Sequence, residues 1–176
     1  MRCTIVGAAL LWCAVARGEN AILECTANTW IAPGKNAVHG REPVLELGSG
    51  KIILLRFRIS AIEGWKVQKA LVLLHVSGKI RPGKVTLAAI ASTWREAAVN
   101  LPPLAKDAEA DERTRPDGWI SIDVPIDLVQ TLVDGKAHGI AIRLDSENRQ
   151  QFDSRETVQF SPYLVVQGML QGKQEK

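Results

Sequence analysis

Histidines and scattered carboxylates are the side chains that could do chemistry in this 176-residue chain, and neither kind is arranged for it. His39, His75 and His138 lie far apart, with no Cys or carboxylate at the spacing that closes a zinc site. The sequence contains no Gly-x-Ser-x-Gly elbow, no His-Glu-x-x-His helix and no phosphate loop. Asp123 and Glu156 could form a carboxylate pair for sugar chemistry, but no spacing relates them. The stretch "KDAEADERTRPDG" offers Asp107, Glu109, Asp111 and Glu112 as hard oxygen ligands for calcium. Its basic neighbours Lys106, Arg113 and Arg115 and the lack of a Gly-punctuated loop favour a solvated, mixed-charge segment. The expectation is a protein that is not an enzyme and carries no cofactor.

Binding chemistry is better represented. Trp30, Trp65, Trp94 and Trp119 could each stack on a sugar ring through an apolar face while the indole N–H finds a partner, or could fill the core. Trp119 in "GWISIDV" has the parity of Ser121 and Asp123, which places it on the polar side of its strand. Trp94 stands where a strand runs out into "REAAVN". Near the C-terminus, "FDSRE" sets Arg155 beside Glu156. Such a pair either reads something outside the protein or ties a corner of the fold, because a guanidinium fork meets two carboxylate oxygens with defined geometry.

Charge and cysteine usage narrow the setting. "MRCTIVGAALLWCAVARGEN" has Arg2, an apolar run from Ile5 to Val15, and small residues Ala16 and Gly18 around Arg17. That pattern predicts a signal peptide over residues 1–18 and a secreted, extracellular or periplasmic protein. The apolar run is shorter than the roughly 20 residues of a membrane span. A lipoprotein reading through Cys13 is opposed by the bulk of Trp12. Losing Arg2 and Arg17 from 22 basic residues leaves 20 against 19 acidic ones, a balance that argues against nucleic acid as a partner. Cys25 then stands alone, either buried or bridging to another chain.

The elements that must position these groups are strands. Short apolar stretches separated by Gly, Pro, Asn and Ser predict an all-β sandwich or barrel. In "LLRFRIS", Leu55, Phe57 and Ile59 share one face and Arg56 and Arg58 the other. In "KALVLLHV", Ala70, Val72, Leu74 and Val76 oppose Leu71, Leu73 and His75. In "GIAIRL", Ile140, Ile142 and Leu144 oppose Ala141 and Arg143. "VQF" and "PYLVV" read as further strands, and Asn100 to Gly118 as the longest loop. One short helix is predicted in "IDLVQTLVDGK", with Asp127 as its cap and Gly135 as its stop.

Taken in order, "ANTWI", "LLRFRIS", "KALVLLHV", "STWREAAVNLPP", "GWISIDVPIDLVQTLVDGKAHGIAIRL" and "FDSRETVQFSPYLVV" resemble the secreted DNRLRE domains. That family overlaps a grouping of carbohydrate-binding modules from bacterial surface and polysaccharide-degrading proteins. The resemblance implies a jelly-roll-like antiparallel β-sandwich over residues 19–168, with a polar tail at 169–176 and no catalytic machinery. It implies a non-catalytic module that binds polysaccharide, or a structural or adhesive cell-surface module that works through contacts with surface proteins. Arg56, Arg155 and Glu156 match family motif positions and are expected to be structural. Arg58, His75 and Arg143 fall outside the motifs and are the candidates for contact with an acidic glycan, together with Trp94 and Trp119.

Overall fold

The computed structural model describes residues 18–32, 34, 39–79, 84–97, 100–145, 147 and 149–171; the expected signal peptide, apart from Gly18, lies outside them. In chain order the elements are β1 (Glu19–Ile31), β2 (Val44–Leu47), β3 (Ile52–Phe57), β4 (Trp65–His75), β5 (Lys84–Ala89), β6 (Ala108–Ala110), β7 (Glu112–Thr114), β8 (Trp119–Asp123), α1 (Ile126–Val133), β9 (Ile140–Asp145), β10 (Gln150–Asp153) and β11 (Tyr163–Leu170). The fold is all-β with one short helix, a jelly-roll-like antiparallel sandwich whose main sheet almost closes into a barrel. Its strand order is β6-β5-β9-β3-β1-β11-β4-β8-β7.

Strand β1 makes the sandwich possible by serving both layers. From Glu19 opposite Gly168 to Glu24 opposite Tyr163 it pairs with β11. A register shift between Cys25 and Ala27 follows, and the second half pairs with β3 as far as Ile31 opposite Ile52. Such an irregularity bends a strand and lets it leave one layer for the other. The front layer is then β1, β11, β4, β8 and β7; the back layer is β1, β3, β9, β5 and β6. Strands β6 and β7 lie at opposite ends of this order and are separated in the chain only by Asp111, so one short segment closes the seam. The sequence reading took this segment as loop. Three-residue edge strands in a charged stretch carry no alternation long enough to show.

The core is the set of inward residues that period two picks out. Leu55, Val72, Leu74, Ile120, Ile122, Ile140, Ile142, Leu164 and Val166 are fully buried between the layers. Strands β2 and β10 pair over one end, with Leu45 opposite Phe152, both fully buried. Helix α1 turns Leu128, Val129 and Leu132 into the core. Its N-cap is Pro125 with no side-chain bond, so Asp127 is a first-turn residue rather than the cap, placed where a negative charge meets the helix dipole. Gly135 takes φ 70° just past the last turn, a conformation that ends helices cheaply only for glycine.

The back layer's outer face departs from expectation. It is not a polar surface: Ala27, Ile31, Ile52, Leu54, Ala88 and Ala141 form a second apolar cluster covered by Ile90, Trp94, Leu101 and Leu104. Arg58 does not continue the face of Arg56, because β3 ends at Phe57 and the Arg58 N–H instead donates to the Glu24 carbonyl at 3.0 Å. "VQF" is a 3-10 turn over Val158–Phe160, not a strand. Strand β11 also runs two residues into the expected tail, where Met169 pairs with Lys66 and Leu170 with Trp65.

Candidate functional site

The open outer face of the front layer carries an aromatic group built by strand register. β4 and β8 bring His75 opposite Trp119, and β11 sets Tyr163 one row away, opposite Leu73. The Trp119 and Tyr163 rings meet edge to face with centroids 5.1 Å apart. Phe160, on the turn before β11, stacks on His75 at 3.9 Å, and His75 meets Trp119 at 5.2 Å. All four rings are half-buried. His75 is fixed from behind by Asp153, its Nδ1 lying 2.6 Å from the carboxylate oxygen.

Beside these rings lies a shallow cavity of about 270 Å³, lined by Ile22, Glu24, Trp119, Val158, Pro162 and Tyr163. Ile22 is 71% exposed and Val158 89%, an apolar exposure that continues the aromatic surface. Arg58 reaches Glu24 at 3.2 Å from the rim, with most of its side chain in solvent. Sequence reasoning found His75, Trp119 and Arg58 but missed Tyr163, Phe160, Ile22 and Val158. The parity of Tyr163 with Val165 in "PYLVV" carried the one available signal, since it sets both against the buried Leu164 and Val166.

The remaining candidates lie elsewhere. Arg143 is on the back layer, where its Nη1 donates to Asp107 at 2.7 Å, so it does not join Arg58 and His75 in one groove. Trp94 is 5% exposed; its Nε1 donates to the His138 carbonyl and its ring lies 5.2 Å from the Arg56 guanidinium. That burial corrects the expectation of ligand contact, because no ring face is left for a sugar. Trp30 and Trp65 are also buried.

Arg155 belongs to an internal network. Its Nη2 donates to Glu96 at 2.9 Å and to Glu156 at 3.2 Å, while its backbone N–H donates to Asn28 Oδ1 at 2.7 Å. Glu96 in turn accepts the Asn28 backbone N–H at 2.9 Å, on β1 beyond the point where β11 stops pairing with it. Three distant segments are thereby joined at the edge that β1 exposes on changing layers. A cavity of about 560 Å³ opens beside Gly40, Arg41, Glu42, Glu96 and Ala97, but among the described residues no aromatic ring lines it.

Of the carboxylates weighed for calcium, Asp107 pairs with Arg143 and Glu109 with Lys84. Burial pushes the Glu112 carboxyl above its ordinary range. Among the described residues no cluster of three or more His, Cys, Asp or Glu is placed to hold a metal. Among them, too, no helix is long and apolar enough to cross a membrane. Cys25 is 6% exposed, and burial pushes its thiol up to about 12.

A shallow, ring-lined surface on the open face of a β-sandwich is suited to the flat faces of sugars. No curated protein matches the chain. The profile of carbohydrate-binding module family 96 matches residues 20–168, from the start of β1 almost to the end of β11, and the chain belongs to that family of carbohydrate-binding modules.

Proposed function

We propose that this protein is a secreted, non-catalytic module that binds polysaccharide on the outer face of its front layer, with sugar rings resting on Trp119 and Tyr163. The observation that carries this reading is the aromatic group itself. Trp119, Tyr163, Phe160 and His75 are locked edge to face and ring on ring at 3.9–5.2 Å, beside exposed Ile22 and Val158. Locked rings lose little conformational freedom when a ligand arrives, so stacking energy is retained as affinity.

The ligand we favour carries acidic sugars. Arg58 stands at the rim with an exposed side chain that, among the described residues, is held only by Glu24. A surface pair of this kind is worth roughly 0–1 kcal/mol, so a sugar carboxylate can replace Glu24 at small cost. Affinity electrophoresis through gels containing a neutral glucan or a uronic-acid polymer tests both parts. Retardation by the uronic-acid polymer, lost in Trp119→Ala and weakened in Arg58→Ala, is the expected result. Equal retardation by both polymers removes the acidic preference. No retardation by either, with the fold intact, favours an adhesive surface module that uses Ile22 and Val158 against a protein.

A further inference from the structure

The outer face of the front layer extends well beyond its rings. Along β11 the outward positions are Tyr163, Val165, Gln167 and Met169, alternating with buried Leu164, Val166 and Gly168. Strand β4 sets Leu73 opposite Tyr163, Leu71 opposite Val165 and Lys69 opposite Gln167. One outward row on two neighbouring strands therefore runs from aromatic through aliphatic to basic. The register then shifts, because Val67 pairs with Gly168 and leaves Gln68 as an extra residue. A bulge of this kind re-aims side chains. Here it leaves Lys66, Gln68 and Lys69 all exposed around buried Val67.

Charge separates this end from the rest of the face. Arg58 pairs with Glu24 and Arg113 with Asp123, whereas among the described residues neither Lys66 nor Lys69 has a carboxylate partner. Tyr163 and Gln167 are four residues apart on β11, about 14 Å along a strand, or roughly three linked sugar rings. We propose that the front face is a track for one acidic polysaccharide chain lying along β11 and β4. One sugar ring rests on Trp119 and Tyr163, and a sugar carboxylate further along the chain meets Lys66 and Lys69. This rests on the polysaccharide-binding reading and adds to it a direction, a length and a second point of charge contact. Exposed ammonium groups contribute little each and are screened by salt, so the basic end favours long acidic chains without anchoring short ones.

Calorimetric titration of the intact protein with galacturonate dimer, tetramer and hexamer tests the track. Affinity should rise roughly fivefold or more from dimer to tetramer, and the rise should shrink as sodium chloride is added. A double variant carrying Lys66→Gln and Lys69→Gln should lose most of that rise and keep the wild-type affinity for the dimer. Trp119→Ala should weaken binding at every length. In NMR spectra of the wild-type protein, the tetramer but not the dimer should move the backbone signals of Gln167 and Lys69. A tetramer that moves Trp119 without moving Gln167 or Lys69, or a double variant that keeps the full rise, overturns the track and leaves the aromatic site standing. Failure of every oligomer to bind removes both.

Discussion

Trp94 and Trp119 are the same residue type near strand ends, and what separates their roles is what lies over them. Trp94 sits at 5% exposure beneath its own loop, so Trp94→Ala removes packing and should cost about 3–5 kcal/mol in chemical denaturation. Trp119 is only half-buried, meeting Tyr163 edge to face. Trp119→Ala should leave stability within about 1 kcal/mol while weakening polysaccharide binding roughly tenfold or more by calorimetry, as expected where an aromatic anchor is lost. The sequence supplied parity for Trp119 but nothing about cover, because cover comes from a segment distant in the chain. Cys25 makes a second residue-scale prediction. Its folded thiol is pushed up to about 12 while the unfolded thiol keeps an ordinary value near 9, so above pH 9 the unfolded state holds fewer protons. Stability is therefore fully present below about pH 8.5 and falls above it by up to roughly 1.4 kcal/mol per pH unit. Denaturation from pH 8 to 10.5 should show this slope in the native protein and its loss in Cys25→Ala.

At the scale of elements, the crossing of β1 between layers is the feature on which the architecture turns. Leaving β11 exposes a strand edge, and Glu96 covers it by accepting the Asn28 N–H while holding Arg155. Glu96→Ala should destabilise the fold by about 2 kcal/mol, because the Asn28 N–H loses its acceptor and the partly buried Arg155 guanidinium loses one of its two carboxylates. Arg155→Lys should keep only part of this tie, since an ammonium lacks the fork. Gly139 precedes β9 at φ 150°, and an added Cβ would stand 2.5 Å from the Leu55 carbonyl oxygen. Gly139→Ala should lower Tm by 10 °C or more, or abolish folding, through strain in the β3–β9 pairing. Strands such as β3, β4 and β9 were legible because five or six residues alternate around fully buried positions. β6, β7 and β10 were not, since their pairing is imposed by neighbours rather than by their own pattern. "VQF" misled for a related reason: its apolar ends resemble a strand, yet Val158 is 89% exposed and Phe160 packs on His75 from a turn.

For the molecule as a whole, the two outer faces have different fates. The back face is sealed by Trp94, Leu101 and Leu104, whereas the front face keeps its rings and Ile22 open to solvent. That asymmetry could not be read from one sequence, in which Arg56, Arg58, His75 and Arg143 all fall on outward positions. The structure divides them: Arg58 and His75 accompany the front face, and Arg56 and Arg143 the back. The most direct measurement is a chemical-shift titration of isotopically labelled protein with an acidic oligosaccharide, following the indole N–H of each tryptophan. The expected result is saturable movement of Trp119 and of backbone signals from Ile22, Glu24 and Tyr163, with Trp30, Trp65 and Trp94 still. Movement confined to other parts of the fold, with the Trp119 signal unchanged at saturation, would contradict the account.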